Sequence, residues 1–112
     1  MTPIQRPINK HQSYHAHIYF DQNTVDIATE LYEKIQNQFD FKIGQLHKKA
    51  VGPHLQWMFY LPFSHSDFEL LISYLEDNRK GLSILIHPLT GNDLKDHSEH
   101  ASWLGAPVPL KL

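Results

Sequence analysis

The chain has 112 residues, a formal net charge of −2, 41% hydrophobic residues and 20% charged residues, the composition of one ordinary globular domain over residues 1–112. It contains no cysteine, which excludes disulfides, zinc–thiolate sites, iron–sulfur clusters and cysteine nucleophiles. The nearly balanced charge offers no basic stripe for nucleic acid. We find neither a signal-peptide pattern nor an apolar run of about 20 residues, so no membrane segment is expected and the expected location is the cytoplasm.

The first half of the chain is predicted to form a strand, a helix and a second strand. Residues 1–12 are polar and are predicted to be a flexible lead-in. Tyr14–Phe20 alternates between its two faces as a strand does. Val25–Phe39 has apolar residues at helical spacing, with Asn23 as the expected N-cap. Phe41–His47 is predicted to be the second strand.

The second half of the chain is predicted to form a strand, a helix and a strand. A loop over Lys48–Pro53 leads into the third strand, His54–Leu61. Ser66–Glu69 matches a capping box, which opens a helix that ends near Gly81. Leu82–His87 is predicted to be the fourth strand.

The order of these elements predicts the fold. After the fourth strand, Asp93–Leu104 is predicted to form a short helix and residues 105–112 an extended tail. The order strand, helix, strand, strand, helix, strand is typical of a ferredoxin-like α+β fold. This is a βαββαβ sandwich in which two helices cover one face of a four-stranded antiparallel sheet. The other face is expected to be open.

The chain has nine histidines, and four of them are predicted to converge. In this fold we expect the first and third strands to be parallel neighbours, with the fourth antiparallel beside the first. His15 and His17 then begin the first strand, His54 begins the third and His87 ends the fourth. All four are expected at one end of the open face. They either line a polar surface or a dimer contact, or bind a metal, since neutral imidazole is the commonest metal ligand. A nitrogen-rich site suits iron, zinc, copper or nickel.

The position of His47 stays open. It closes the second predicted strand at the same end of the sheet as the other four histidines. Its parity with Ile43 points it into the core, whereas a bulge at Gly44 would turn it outward.

A cluster of acids and histidines near the end of the chain has two interpretations. Asp93 and His97, like Asp96 and His100, are four residues apart, which is the spacing of ion pairs on a helix surface. Alternatively, Asp93, Asp96 or Glu99 supplies a carboxylate ligand or an acid–base group to the histidine site.

The chain resembles the DOPA 4,5-dioxygenase family from about residue 13 to 106. The resemblance is carried by Tyr14-His15-Ala16-His17-Ile18-Tyr19-Phe20, Val51-Gly52-Pro53-His54, His87-Pro88 followed by Thr90-Gly91, and Asp96-His97 with Trp103-Leu104-Gly105. It implies a ferredoxin-like fold and extradiol cleavage of a catechol by non-haem ferrous iron and dioxygen. Zinc or nickel is the alternative to iron.

The expected site divides into metal ligands and proton-transfer groups. The metal ligands are expected among His17, His87, His54 and His15. The catalytic candidates are His15, His54, His47 and His97, since a histidine that does not bind metal can relay protons near neutral pH. Many non-haem iron oxygenases use two histidines and one carboxylate, but the predicted strands offer no carboxylate on the open face. Candidate cations for an acidic substrate are, by position, Lys48, Lys49 and Arg79.

Three functional interpretations follow for the expected site. The first is a dioxygenase acting on a small aromatic substrate. The second is a dimeric module that binds a metal or a small aromatic molecule without catalysis. The third is a dimerisation domain whose open sheet faces stack. A homodimer is expected because Met58, Tyr60 and Leu85 would otherwise leave an apolar patch in water.

Overall fold

The computed structural model describes residues 7–112, so the first six residues of the predicted lead-in lie outside the described residues. The chain forms an α+β sandwich with a four-stranded antiparallel sheet, which confirms the predicted fold class. The sheet order is β2-β1-β3-β4. The elements are β1 (Ser13–Phe20), α1 (Val25–Gln38), β2 (Trp57–Ser64), α2 (Phe68–Asn78), β3 (Ile84–Pro88), α3 (Asp93–Asp96) and β4 (Ser102–Leu104). No described helix is long and apolar enough to cross a membrane.

The direction of β2 differs from the prediction. β1 and β2 are neighbours, as expected, but they run antiparallel rather than parallel, with Phe20 opposite Trp57. The reason lies in the segment between α1 and β2. His47 bridges Met58, and Met58 lies opposite Tyr19, so this segment returns the chain to the end of the sheet where β1 finishes. The next strand must therefore begin at that end.

The predicted strand Phe41–His47 is not a regular strand. Within it, His47 forms an isolated bridge to Met58, and the Gly44 N–H donates to the Tyr60 carbonyl at 2.8 Å. The four residues from Gly44 to His47 lie opposite the three residues from Met58 to Tyr60 on β2. One extra residue therefore interrupts the pairing. This irregularity turns the segment, and its partly buried apolar residues still pack on the helix-covered core.

The fourth strand of the sheet comes from a segment that was predicted to be helical. The predicted helix Asp93–Leu104 ends at Asp96, and Ser102–Leu104 instead pairs antiparallel with β3. Ser102 and Leu104 are buried in this strand. The edge of β3 would otherwise leave backbone groups unpaired, and pairing with β4 satisfies them.

The helix starts also differ from the sequence prediction in detail. The turn before α1 is held by Asp21 rather than by Asn23, because the Asp21 carboxylate accepts the Asn23 backbone N–H at 2.8 Å. The capping box expected over Ser66–Glu69 does not form. His65–Asp67 instead make one 3₁₀ turn, and α2 begins at Phe68 without a side-chain cap.

The two faces of the sheet are covered differently. One face packs under α1 and α2 in the main apolar core. The other face carries a smaller buried apolar group made of Tyr19, Met58 and Leu85. The residues packed over it come from β2, β4 and two irregular segments, the covering loop (residues 47–56) and the tail (residues 105–112). Val51 lies in the covering loop, and Val108 and Leu110 lie in the tail.

The face expected to be open is therefore partly closed by the chain itself. The tail is tied to the covering loop by a bridge between Leu110 and His54 and by the Lys111 N–H, which donates to the Pro53 carbonyl at 2.7 Å. The side chains of Met58 and Leu85, expected to lie in water, are 3% and 0% exposed. This removes the reason given for a homodimer, and a homodimer stays a prediction.

Candidate metal centre

Five histidines meet on the sheet face opposite the helices. β1 presents His15 and His17 on this face because side chains two residues apart in a strand lie on the same side. β3 places His87 directly opposite His15. His54 comes from the covering loop, and His97 follows α3. His17, His54 and His87 are buried, whereas His15 and His97 are partly exposed.

The shortest contact in this cluster joins His17 and His87. Their Nε2 atoms lie 3.0 Å apart, and the planes of the two rings are nearly parallel, with an interplanar angle of 16°. Nδ1 of His87 lies 2.9 Å from the Pro88 carbonyl oxygen. A carbonyl can only accept, so Nδ1 carries the hydrogen and Nε2 of a neutral His87 keeps its lone pair.

His54 reaches the cluster by a different route from the one predicted. It was expected to start a strand parallel to β1, but β2 begins three residues later and at the far end of the sheet. The covering loop carries His54 back over the face, where its ring stacks on His17 with centroids 4.1 Å apart. Its Nδ1 lies 2.6 Å from the hydroxyl of Tyr19. The convergence holds, but the strand argument for His54 is wrong.

His97 belongs to the cluster rather than to a surface ion pair. Its ring centroid lies 4.2 Å from that of His87 and 5.5 Å from that of His54. Its Nδ1 donates to the backbone carbonyl of Asp93 at 2.7 Å rather than pairing with the Asp93 carboxylate. This bond leaves Nε2 of His97 as the acceptor nitrogen. Histidines that bind metals are commonly oriented in this way, by a hydrogen bond from the other ring nitrogen to a carbonyl.

The three acids that were candidates for the site have different positions. Asp96 is buried, and its carboxylate accepts the backbone N–H of Thr90 at 2.9 Å and the Thr90 hydroxyl at 2.6 Å. It therefore holds the turn before α3 instead of pairing with His100. Asp93 lines the cavity described below. Glu99 is exposed. Among the described residues, neither group of three close metal-binding side chains includes an acid.

His47 lies away from the cluster. Its backbone pairs with Met58, which is opposite Tyr19 and not at the end of the sheet where His15 lies. The structure records no ring contact between His47 and the five histidines. Whichever way its side chain points, His47 is therefore too far along the sheet from His15 to join the cluster.

Two groups of three histidines have ligand atoms within 4.8 Å of one another. They are His15, His17 and His87, and His17, His54 and His97. His17 belongs to both. Its Nδ1 is buried and has no hydrogen-bond partner among the described residues, although buried polar atoms are almost always paired. The all-imidazole donor set fits a bound metal ion.

Burial favours the neutral form of four of the histidines, His15, His17, His54 and His87. Desolvation lowers the pKa of His54 and of His87 to about 4, with repulsion from neighbouring histidines as a further cause. The same causes lower the pKa of His17 well below its ordinary value and, to a smaller extent, that of His15. Burial raises the pKa of Tyr19, so its hydroxyl keeps its proton beside His54. Neutral rings are the form that binds metals.

A cavity of about 370 Å³ opens beside the histidines, within the usual size range of small-molecule sites. Its lining residues are His15, His17, Pro53, His87, Leu89, Asp93, Leu94, His97, Lys111 and Leu112. The histidines, Asp93 and Lys111 are the polar lining residues, and the other four are apolar. Lys48 and Lys49 are exposed elsewhere on the covering loop, and the Arg79 guanidinium donates to the Leu82 carbonyl at 3.2 Å, so none of the three candidate cations lines it.

Sequence reasoning missed several cavity residues. Lys111 and Leu112 lie in the tail, whose path has no periodic signal. Tyr60 contacts the cluster, with its ring 5.0 Å from that of His15. The sequence alternation placed Tyr60 on this face as part of an apolar patch, and in the structure its ring contacts His15 and His17.

The fold and the histidine cluster define a small α+β protein with an all-nitrogen candidate metal site beside an apolar cavity. The family model described as the Dopa 4,5-dioxygenase family matches residues 14–112. The chain therefore belongs to the DOPA 4,5-dioxygenase family, as the motifs indicated.

The chain is similar to curated proteins and to a solved structure. It is 33% identical over 110 residues to a DOPA 4,5-dioxygenase from Amanita muscaria, covering 90% of this chain and 48% of that protein. It is 32% identical over 112 residues to an uncharacterized 21.2 kDa protein from Botryotinia fuckeliana, covering 89% of this chain and 61% of that protein. The chain thus spans only part of the length of these curated relatives. A crystal structure of a candidate dioxygenase from Nostoc punctiforme matches with a TM-score of 0.86 and 36% identity, covering 90% of this chain and 88% of that one.

Proposed function

We propose that the protein is a non-haem iron-dependent extradiol dioxygenase, which uses dioxygen to open the ring of a catechol beside its two hydroxyl groups. The observation that carries the proposal is the cluster of five histidines beside a cavity large enough for a small aromatic molecule. Membership of the DOPA 4,5-dioxygenase family supports the reaction class. Ferrous iron bound at the cluster would supply the redox chemistry between catechol and dioxygen.

His17 is the residue most strongly implicated in metal binding. It is shared by both groups of three histidines, and its Nε2 lies 3.0 Å from that of His87. Nitrogen-rich sites suit iron, zinc, copper or nickel rather than magnesium or calcium. The hydrogen bonds from Nδ1 of His87 and Nδ1 of His97 to backbone carbonyls orient these two rings.

The histidines that do not bind the metal are available for proton transfer. If His15, His17 and His87 hold the ion, then His54 and His97 remain within ring contact of the ligands. If the other group holds it, His15 and His87 remain, and both line the cavity. A catechol must lose protons as it reacts, and a nearby neutral imidazole can accept them. The covering loop and the tail exclude water from the buried side of the cluster.

The alternative is a module that binds a metal or a small aromatic molecule without catalysis. The observation in its favour is the absence of a carboxylate from both groups of three histidines among the described residues, whereas many iron oxygenases use one. An all-histidine site also suits zinc, which has no redox chemistry.

Anaerobic reconstitution with ferrous iron tests the proposal. Oxygen uptake and the formation of a coloured ring-opened product would be followed after adding catechols of different side chains. The proposal expects uptake with at least one catechol and none with the zinc-loaded protein. Protein that holds iron but consumes no oxygen across the panel would establish the binding-module alternative instead.

Removal of His17 tests the site independently of activity. His17→Ala should weaken metal binding at least about a hundredfold, more than the loss of an outer-shell partner costs, while the circular-dichroism spectrum is preserved. His65→Ala is the matched control, since His65 is exposed and outside the cluster. Full metal content in His17→Ala, measured by elemental analysis, would refute the ligand assignment.

A further inference from the structure

The cavity beside the histidines carries one cation, Lys111, among the residues that the structure describes as lining it. Lys111 belongs to the tail, which sequence patterns did not connect with the site. Its backbone N–H donates to the Pro53 carbonyl at 2.7 Å, and the preceding residue, Leu110, bridges His54. The Lys111 backbone is therefore tied directly to the loop that carries a histidine of the cluster.

No ion-pair partner of the Lys111 ammonium is found among residues 7–112, which the structure describes. Of the described lining residues, Asp93 has the one acidic side chain, and it lies on α3 rather than on the tail. Lys111 is exposed. A bound anion would find its complement at Lys111 and would be repelled by Asp93.

The space between this cation and the histidines has an apolar wall. Leu89, Leu94 and Leu112 come from three different segments, line the cavity, and are 45%, 61% and 61% exposed. Single exposed leucines are common, but three around one cavity form an apolar surface that a ligand can cover. An ammonium group placed against this wall and out of reach of Asp93 would lose water without gaining a partner.

We infer that Lys111 is a specificity-determining residue, which pairs with a carboxylate at the end of an apolar arm on the aromatic substrate. The catechol ring would face the histidines, the arm would lie along the leucines, and the acid would lie on the tail side of the cavity. The inference rests on the proposed function for the identity of the ring. The substrate class is a catechol with a monoanionic side chain, rather than a neutral or zwitterionic one.

Binding to the zinc-loaded protein tests this inference without turnover, because zinc does not take part in redox chemistry. The probes are 3-(3,4-dihydroxyphenyl)propanoate and its neutral methyl ester, which share the ring and the arm. Calorimetry should show tighter binding of the acid. Lys111→Met keeps the length of the side chain and removes its charge, so it should weaken binding of the acid about fivefold, the upper range for an exposed ion pair, and leave the ester within about twofold.

Matched variants separate a contact from a general charge effect. Lys49→Met removes a charge of the same type from the covering loop, where Lys49 is exposed and does not line the cavity, and should leave both affinities unchanged. Lys111→Arg should restore binding of the acid. Asp93→Asn should strengthen it slightly by removing repulsion, and added salt should reduce the preference of the wild-type protein for the acid.

The outcomes distinguish the inference from the proposed function. Equal binding of acid and ester by wild-type protein, or an unchanged acid affinity in Lys111→Met, would overturn the inference while leaving catechol binding intact. Tighter binding of DOPA than of the acid would overturn the monoanion class, because it would show that Asp93 recognises an ammonium. Failure of every catechol to bind would overturn both the inference and the proposed function.

Discussion

The face of the sheet beneath α1 and α2 is a continuous apolar core, whereas the opposite face carries five histidines and is covered largely by segments without regular structure. On the helix side, Ile18, Phe59 and Ile84 are fully buried among other apolar side chains. On the other side, His17 and His87 are almost as deeply buried but are polar. The same strands therefore provide stability with one set of side chains and a candidate site with the alternate set.

The two coverings differ in how they are held. The helices bury stripes of apolar residues, so their attachment is distributed over many contacts. The covering loop and the tail are fastened by a few specific interactions, such as the bridge between His54 and Leu110. Such irregular segments on a rigid sheet are where binding residues are usually found. We therefore expect substitutions on the helix side to change stability and substitutions on the other side to change binding.

The largest effect expected from a single substitution is the loss of a core ring. Phe59 is 0% exposed, and the edge of the Tyr32 ring packs on it. Phe59→Ala should lower the free energy of unfolding by about 3–5 kcal/mol, because it removes apolar burial and leaves a cavity. Leu70→Ala, at a position 59% exposed on α2, should change it by less than about 0.5 kcal/mol. Urea denaturation measures both values, and a similar small effect of the two substitutions would contradict the core assignment.

Acid should act on the other face of the sheet. The pKa of His54 and of His87 is about 4 in the folded protein, chiefly because of burial, against an ordinary value of 6.5. Between these values the unfolded chain binds more protons, so the metal-free protein should lose stability as the pH falls from about 6.5 to about 4, by up to about 1.4 kcal/mol per pH unit for each histidine. The stability that these two neutral histidines contribute is fully present above about pH 6.5, the ordinary pKa of histidine.

Denaturation of chelator-treated protein at several pH values in this range measures the effect. The double variant His54→Gln/His87→Gln should show a flatter dependence, and His65→Gln, at an exposed position, should show the dependence of the wild-type protein. A wild-type stability that does not change over the range would show that these rings are not buried in the neutral form.

A smaller effect is expected at Gly44, where the segment between α1 and β2 meets the Tyr60 ring. A Cβ on Gly44 would lie 2.6 Å from a ring carbon of Tyr60, so Gly44→Ala must displace this ring. The cost should be about 1–3 kcal/mol, and metal affinity should also change because the Tyr60 ring contacts His15 and His17. In a Tyr60→Ala background the penalty should largely disappear. An equal penalty in both backgrounds would exclude the ring contact as its cause.

The smallest expected effect comes from one buried hydroxyl. Tyr19→Phe removes the partner of His54 Nδ1 at 2.6 Å and should cost about 1 kcal/mol. It should also change which nitrogen of His54 carries the hydrogen, which nitrogen NMR of the imidazole detects. Tyr32→Phe is the matched control on the helix side, where the ring packs on Phe59 and its hydroxyl has no hydrogen bond recorded within residues 7–112. An unchanged imidazole spectrum in Tyr19→Phe would exclude a role for the hydroxyl in orienting His54.

The sequence predicted those parts of the site that lie in regular strands. Alternation along β1 places His15 and His17 on one face, and the same parity along β3 places His87 beside them. These predictions needed only the period of two that any strand imposes on its side chains. His54 was assigned to the cluster by an argument that used the wrong strand direction, and His97 was both a catalytic candidate and a candidate for a surface ion pair.

By itself, the sequence determined the α+β class, the family, the two helices and the faces of the strands, because propensity and periodicity are properties of each segment alone. The tertiary structure decided the direction of β2, the pairing of Ser102–Leu104 with β3, and the paths by which His54, His97 and Lys111 reach the cavity. Each of these depends on contacts between residues far apart in the chain. No local pattern records which backbone a loop or a tail will pair with, since that choice is made by the rest of the folded protein.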